Sequence, residues 1–395
     1  MINVNEVPLK VGLRECQMVF RPCRSSASAA FQNRFAAGSL LWGILAIVGV
    51  ALPCSGSESI RVAIADNQRS VTLESPAGLR TTGVPGSKSG RSAIYRAVDV
   101  GKTPVRVSSS GEFINVNGRA YRGAIEIRKK ANGRLLVIND LDLEAYLLGV
   151  VAAEIPSNWE MEALKSQAVA SRTYALYQKQ NAGRRPYHIL ATVDSQMYLG
   201  RRGERTRAAE AVEATQDLVI MYRGDVIPAF YHSSCGGHTE NALELWGIDE
   251  PFLKGVDCDC QNISTYGIWE KRFTTAGVIH ALRRQGFRLA DIGSVEMGDL
   301  TPAGRVKNVI FRDSGRTISV PAETIRAALG YSNIPSIFFE PELMDQEVVF
   351  SGRGLGHGIG LCQWGAKEMA RNGADYRVIL SHYYPGTTVA RKQGR

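Results

Sequence analysis

With 395 residues, 44% of them apolar and 22% charged, the chain has enough hydrophobic mass for a substantial core, which excludes a largely disordered polypeptide. The formal charge of +9 would suit an anionic partner, but several arginines lie in the first 35 residues and at Arg391 and Arg395. Charge alone therefore makes no case for nucleic acid, and no nucleic-acid partner is expected. Residues 1–57 read as a leader. The run Ala36 to Leu52 is nearly all apolar, follows Arg34 and is closed by Pro53-Cys54-Ser55-Gly56-Ser57. This is the pattern of a secretory signal or, if uncleaved, of an N-terminal membrane anchor, and either implies export to the periplasm or cell envelope. Pro53 argues against lipid attachment at Cys54, and Met18 offers a later start. Cys16, Cys23 and Cys54 fall in this leader, which leaves Cys235, Cys258, Cys260 and Cys362 beyond it.

From 58 to 140 the pattern is β-rich. Ile60–Ile64, Val105–Ser108, Ala124–Arg128 and Leu135–Ile138 are short strand-like runs separated by Gly, Asn and Ser turns. Residues 141–390 read as the core of the domain. The period turns helical from Leu141 to Asn181 and breaks once, at Pro156. Ser157 followed by Glu160 predicts a capping box for the second helix, with Met161, Leu164, Ala168 and Ala175 as its buried stripe. A second β-rich stretch runs from Val295 to Val320, turning at Gly304-Arg305 and Ser314-Gly315, and a short helix follows over 322–329. The strand Glu347–Phe350 leads into a glycine-rich loop, Gly352 to Gly360, and then into a helix from about Cys362 to Asn372. The predicted fold class is α+β: a β-rich lead-in, a central helical segment, a second β-rich region, and a C-terminal glycine-rich loop plus helix. A nucleotide reading of the loop fails, because it contains neither Gly-x-Gly-x-x-Gly in register nor Gly-Lys-Ser/Thr.

Glu154 ends the apolar segment Tyr146 to Ala153 and directly precedes Ile155-Pro156, where the chain must turn. A carboxyl group held against Val150, Val151 and Ile155 would be desolvated, which raises its pKa and keeps it protonated near neutrality as a proton donor. The plainer alternative is a glutamate that pairs with a helix-end N–H or an arginine. Cys235-Gly-Gly-His238 and Cys258-Asp-Cys260 together present three thiols and one imidazole, a set able to close a tetrahedral zinc site. Disulfides or free thiols are the competing readings, and His232 is a substitute ligand. A fully occupied zinc shell would be structural, so no cofactor is required for chemistry.

The stretch Tyr146-Leu-Leu-Gly-Val-Val-Ala-Ala-Glu154-Ile-Pro-Ser-Asn-Trp159, continued by Glu162 to Ala175 with its Ser-Arg-Thr-Tyr174 block, closely resembles the signature of the stage II sporulation protein D family, which includes the amidase enhancers. The resemblance continues at Phe230-Tyr-His-Ser-Ser-Cys-Gly-Gly-His-Thr-Glu240, at Gly352 to Ala366 and at His382-Tyr-Tyr-Pro-Gly-Thr387, in family order over roughly 60–390. It implies a peptidoglycan lytic transglycosylase that acts on peptide-free glycan strands, with Glu154 as the single acid/base. A hydrolase would usually require two spaced carboxylates, and nothing in the sequence places Asp142, Glu160 or Glu162 facing Glu154. The same resemblance implies substrate contacts at Lys165, Arg172, Tyr174, Tyr231, Ser233, His357 and Gln363. Lys165 and Arg172 lie two turns apart on one helix face, where they would bind lactyl carboxylates or simply form a solvated basic face. His357 is either a glycan contact or a structural histidine bonded within its own loop, and Trp364 and Tyr383 are either core or sugar-stacking residues. The expected partners are glycan strands and, in the rival non-catalytic reading, a cell-wall amidase that this chain would activate. A purely structural envelope protein is the third reading.

Overall fold

In the amino-terminal part, apolar residues that alternate with polar ones bury one strand face after another. A computed structural model describes residues 58–83 and 90–392; the leader, with its apolar run and three cysteines, lies outside the described residues. Ser59–Gln68 buries Ile60 and Val62, and Ser70–Thr82 buries Val71, Leu73, Leu79 and Thr81. These strands belong to a nine-stranded sheet in the order Arg119–Tyr121, Ile114–Val116, Ser70–Thr82, Val105–Ser108, Ala124–Lys129, Leu135–Asp142, Ser59–Gln68, Ile189–Leu190, with Gly90–Arg96 also paired to Ser70–Thr82. The four predicted runs all lie in strands. Ser70–Thr82 and Gly90–Arg96 were not predicted, because their alternation is diluted by Ser, Thr, Arg and Gly. With its mixed strands and helices the fold is α+β.

The sheet runs directly into the helices. Asp142, the last residue of its strand, caps α1 (Leu143–Leu148) by accepting a 3.0 Å bond from the Ala145 N–H. Two further helices follow, α2 (Val151–Glu154) and α3 (Met161–Gln180). The predicted single helix before Pro156 is therefore two pieces. Gly149 separates them, and it is the residue that fits there: a Cβ at this position would come within 2.6 Å of the Tyr198 ring. Ile155 is extended, as a residue preceding proline prefers, so α2 stops at Glu154. The predicted capping box does not form. The N-cap of α3 is Glu160, without a side-chain cap bond, and Pro156 to Trp159 form a turn closed by the Trp159 N–H to the Pro156 carbonyl at 3.1 Å. The expected single stripe is also too narrow, since α3 is buried on almost every side from Ala163 to Leu176. Its polar residues are satisfied internally: Thr173 donates to the Val169 carbonyl, Ser166 to that of Glu162, and Gln167 to the Ser171 hydroxyl. Among the described residues no helix is long and apolar enough to cross a membrane.

One core joins the large sheet to α1–α3 and to the carboxy-terminal segments from Ile359 to Tyr384. A second core, containing Val278, Leu282, Phe311, Ile325 and Phe350, lies within the stretch Trp269 to Phe350. This stretch includes the antiparallel trio Trp269–Thr274, Glu347–Gly352 and Phe339–Met344, and the trio Ser294–Met297, Asn308–Asp313 and Arg316–Pro321. Both predicted turns and the 322–329 helix are present. Arg305 ties this inserted unit to the first core. Its guanidinium is 1% exposed, meets Glu240 at 3.3 Å, and donates to the carbonyls of Cys235 at 2.7 Å and His238 at 3.0 Å. Thr301 adds a 2.6 Å bond to the same Glu240 oxygen. Glu240→Ala would leave a buried guanidinium without its counter-charge, so urea denaturation should report a loss of about 3–5 kcal/mol. A loss below about 1 kcal/mol would show that the pair does not secure the insertion.

Candidate active site

Glu154 occupies the last position of α2, where the chain turns away at Ile155, and the residue is partly exposed. Val150 and Val151 behind it and Ile155 beyond it are almost fully buried. The carboxyl accepts a 2.6 Å bond from the Met197 N–H and a 3.1 Å bond from the Tyr231 hydroxyl, both on Oε1, and the Gln363 amide is a third donor. Desolvation is the largest influence on this group and outweighs the three donors, so its pKa rises to about 7. The donors that oppose the rise are all neutral. Among the described residues no arginine or lysine acts on it, so the carboxyl is not pinned in its ionised form there, and the plainer reading of Glu154 as a partner for an arginine finds no such partner.

Behind the donors lies a chain of neutral polar groups. Tyr146 donates to Gln196 at 3.0 Å, Gln196 donates to the Ser171 carbonyl at 3.2 Å, Gln167 donates to the Ser171 hydroxyl at 3.0 Å, and Gln363 donates to Gln167 at 3.3 Å. Gln167, Ser171 and Gln196 are each 1% exposed or less. Such a network fixes the donors around Glu154 without bringing in charge. Ala153, Met197, Tyr231, Ser233 and Trp364 are partly exposed, as Glu154 is.

The residues expected to contact substrate divide into two groups. Tyr231 and Gln363 meet Glu154, and Ser233, half-exposed, accepts the Trp364 N–H on its carbonyl at 3.0 Å. Arg172 is a correction. It is buried, grips both Glu144 carboxylate oxygens at 2.6 Å and donates to the carbonyls of Val212 and Leu218, so its fork is consumed inside the fold. Tyr174 is a second correction, 8% exposed and packed edge-on against Phe230 and Tyr231. His357 is a third. Its Nδ1 accepts the Ile359 N–H and its Nε2 donates to the Tyr231 carbonyl, both at 3.0 Å, so the ring is spent on backbone; burial pushes its pKa down to about 3. It supports Tyr231 from behind. Lys165 pairs with Glu162 at 2.7 Å and lies over the Tyr376 ring, so no contact ties it to Glu154. Of the other acidic neighbours, Asp142 caps α1, and Glu162 also accepts the Tyr376 N–H at 2.9 Å.

Three of the four candidate ligands come together, and a fourth cysteine joins them. Cys235, Cys258, Cys260 and Cys362 are all buried and free, and their sulfurs lie within 4.8 Å of one another. His238 is not part of the group: its side chain is 39% exposed and its Nδ1 bonds the Thr239 carbonyl. Cys362 takes its place because Leu361–Cys362 pairs in parallel with Tyr231–His232. His232 turns its Nδ1 to the Ile359 carbonyl, outside the thiol group.

The family model for stage II sporulation protein matches residues 131–222, from the strand before α1 to just beyond Met221, a span that contains Glu154. Stage II sporulation protein D of Bacillus subtilis is 30% identical over 271 residues, which cover 64% of this chain and 76% of that protein. The chain belongs to the stage II sporulation protein D family. The amidase enhancer of the same bacterium is 28% identical over 327 residues, covering 71% of this chain and 45% of the enhancer. An uncharacterized protein of Brachyspira hyodysenteriae is 30% identical over 284 residues and is covered to 76%. The span matched by the family model supplies Glu154 and Met197, whereas Tyr231, Gln363 and all four clustered cysteines lie beyond it. Met197, Gln196, Gln167 and Ser171 were not anticipated, and a backbone N–H leaves no signal in a sequence. In this family member, Tyr231→Phe removes one donor to the ionised carboxylate and should move the Glu154 pKa upward from about 7, by about one pH unit. Carboxyl-labelled NMR titration reads this directly, and an unchanged value would remove Tyr231 from the site.

Proposed function

We propose that this chain is an exported cell-wall enzyme that cleaves peptidoglycan glycan strands by lytic transglycosylation, with Glu154 as its one acid/base group. The observation that carries the reading is the Glu154 carboxyl, on a residue that is itself partly exposed, lifted to about 7 and held by three neutral donors. A proton affinity near the working pH suits a group that must give and then take back one proton. In the first half-reaction, the protonated carboxyl donates to the glycosidic oxygen as that oxygen's bond to C1 of the muramic residue breaks. In the second, the resulting carboxylate withdraws the proton from the 6-hydroxyl of the same residue as that oxygen bonds to C1. The ends formed are a free 4-hydroxyl and a 1,6-anhydro sugar; no water is consumed, and Glu154 finishes protonated. Met197, Tyr231 and Gln363 stabilise the carboxylate that exists between the two steps.

A polar, ring-rich ligand also fits what lies one helical turn beyond Gln363. Lys367 sits over the rings of Trp159 and Trp364, at 5.2 and 5.1 Å from their centroids. In this reading its ammonium would meet a lactyl carboxylate, a role that Arg172, enclosed by Glu144, cannot take. The second reading, a glycan-binding enhancer of a cell-wall amidase, is favoured by the likeness to the amidase enhancer.

Digestion of peptide-free glycan strands followed by mass spectrometry should yield anhydro-muramyl ends, and Glu154→Gln should abolish them. If the wild-type yields none, while Glu154→Gln still stimulates an amidase, the enhancer reading replaces this one. Because the acid form of Glu154 starts the reaction, kcat/KM should be high below about pH 7 and fall as pH rises through that value. Lys367→Ala should raise KM about tenfold and leave kcat within about twofold; an unchanged KM would remove Lys367 from the ligand site.

A further inference from the structure

We propose that Gln167 and Ser171, one turn apart on α3, are positioning residues that set the direction of the hydrogen bonds reaching Glu154, so that Tyr231 and Gln363 both turn a hydrogen, and not an oxygen, towards its carboxylate. Their part in catalysis rests on the reading of Glu154 as the acid/base group. An amide can turn either end to a neighbour and a hydroxyl can donate or accept, so a site built from such groups admits two polarities. Here the polarity follows from groups that have no choice. A carboxylate only accepts, so Gln363 turns its nitrogen to Glu154, and that nitrogen also donates to Gln167 Oε1 at 3.3 Å. With its oxygen committed there, Gln167 has only its nitrogen for Ser171, and it donates to the Ser171 hydroxyl oxygen at 3.0 Å. Ser171 therefore keeps its one hydrogen for the Tyr231 oxygen, which it also meets. Gln196 is oriented independently. Its nitrogen faces the Ser171 carbonyl at 3.2 Å, its oxygen accepts the Tyr146 hydroxyl at 3.0 Å, and it too meets the Tyr231 oxygen. With donors on its oxygen, the phenol has its own hydrogen left for Glu154 Oε1 at 3.1 Å.

Ser171 is thus common to both branches: it acts on Gln363 through Gln167, and on Tyr231 directly. Gln167 and Ser171 are buried, so bulk water does not stand in for either partner. In the reverse polarity the Gln167 carbonyl would take the Ser171 hydrogen, the Tyr231 oxygen would lose a donor, and Gln363 would face Glu154 with its own oxygen. That arrangement suits only the protonated acid. The observed direction suits the carboxylate that exists between the two half-reactions, and it is in place before the proton leaves, so no dipole has to turn as the charge appears.

Carboxyl-labelled NMR titration of the full chain tests this without requiring activity. Gln167→Met keeps the length of the side chain but neither hydrogen bond, and it should raise the Glu154 pKa by about half a pH unit. In a Gln363→Met background the same substitution should add no further rise. An equal rise in both backgrounds, or none in either, overturns the role of Gln167, because its effect would then not pass through Gln363. Ser171→Ala should raise the Glu154 pKa at least as far as Gln167→Met; an unchanged value overturns Ser171 as the joint of the two branches. Should Gln167→Met fail to fold, the wild type decides: the side-chain nitrogen resonance of Gln363 should titrate together with Glu154, and a flat response overturns the proposal. On peptide-free glycan strands, the midpoint of the fall in kcat/KM should move upward in Gln167→Met while its acid plateau drops about fivefold. Wild-type protein that releases no anhydro-muramyl ends would defeat the transglycosylase reading, whereas the pKa comparison fails or succeeds independently of it.

Discussion

A carboxyl group that keeps a proton near neutrality must be shielded both from water and from positive charge. The surroundings of Glu154 meet both demands with ordinary parts. Val150 and Val151 at the start of its own short helix, and Ile155 after it, remove solvent from one side. The remaining polar contacts come from a backbone N–H, a phenol and an amide, none of them charged. An arginine in place of the Gln363 amide would favour the ionised form, because an opposite charge at contact distance lowers a carboxyl pKa. The fold places its nearby basic residue elsewhere: Arg172, on the helix that follows, is enclosed by Glu144 and two carbonyls.

The rest of the architecture serves to hold three distant segments against that carboxyl. The large sheet delivers α1 without a loop, and Gly149 with Pro156 cuts out a four-residue helix that ends at Glu154. The short parallel pairing of Tyr231–His232 with Leu361–Cys362 brings the phenol and the amide together. Between those two strands in sequence lies an inserted unit with its own core, so the pairing has to survive a long detour of the chain. Arg305 is the residue through which that detour is fastened: it reaches from the insertion into the turn after Cys235 and is neutralised there by Glu240. His357 serves the same end more locally, bonding the Tyr231 carbonyl with one nitrogen and its own loop with the other.

Much of this was legible in the residues alone. Strands marked by short apolar runs between turn residues, such as Ala124–Lys129 and Asn308–Asp313, and the helix 322–329 follow from the local pattern. Strands in which Ser, Thr and Gly interrupt the pattern did not, and neither did the full burial of α3, whose composition is too polar for a helix enclosed on nearly all sides. That burial is tolerable only because Ser166, Gln167, Ser171, Arg172 and Thr173 find partners that a one-dimensional pattern does not record.

The sequence by itself determined that Glu154 would sit at the end of an apolar segment just before a proline, which depends on residues within a few positions of one another. Tertiary structure decided which groups reach the carboxyl and which residue completes the thiol cluster. Met197 and Tyr231 arrive from 43 and 77 positions away, and Cys362 displaces His238 through a strand pairing that spans the insertion. Local periodicity encodes whether a residue is buried, whereas the identity of its neighbours is set by the order in which distant strands pair.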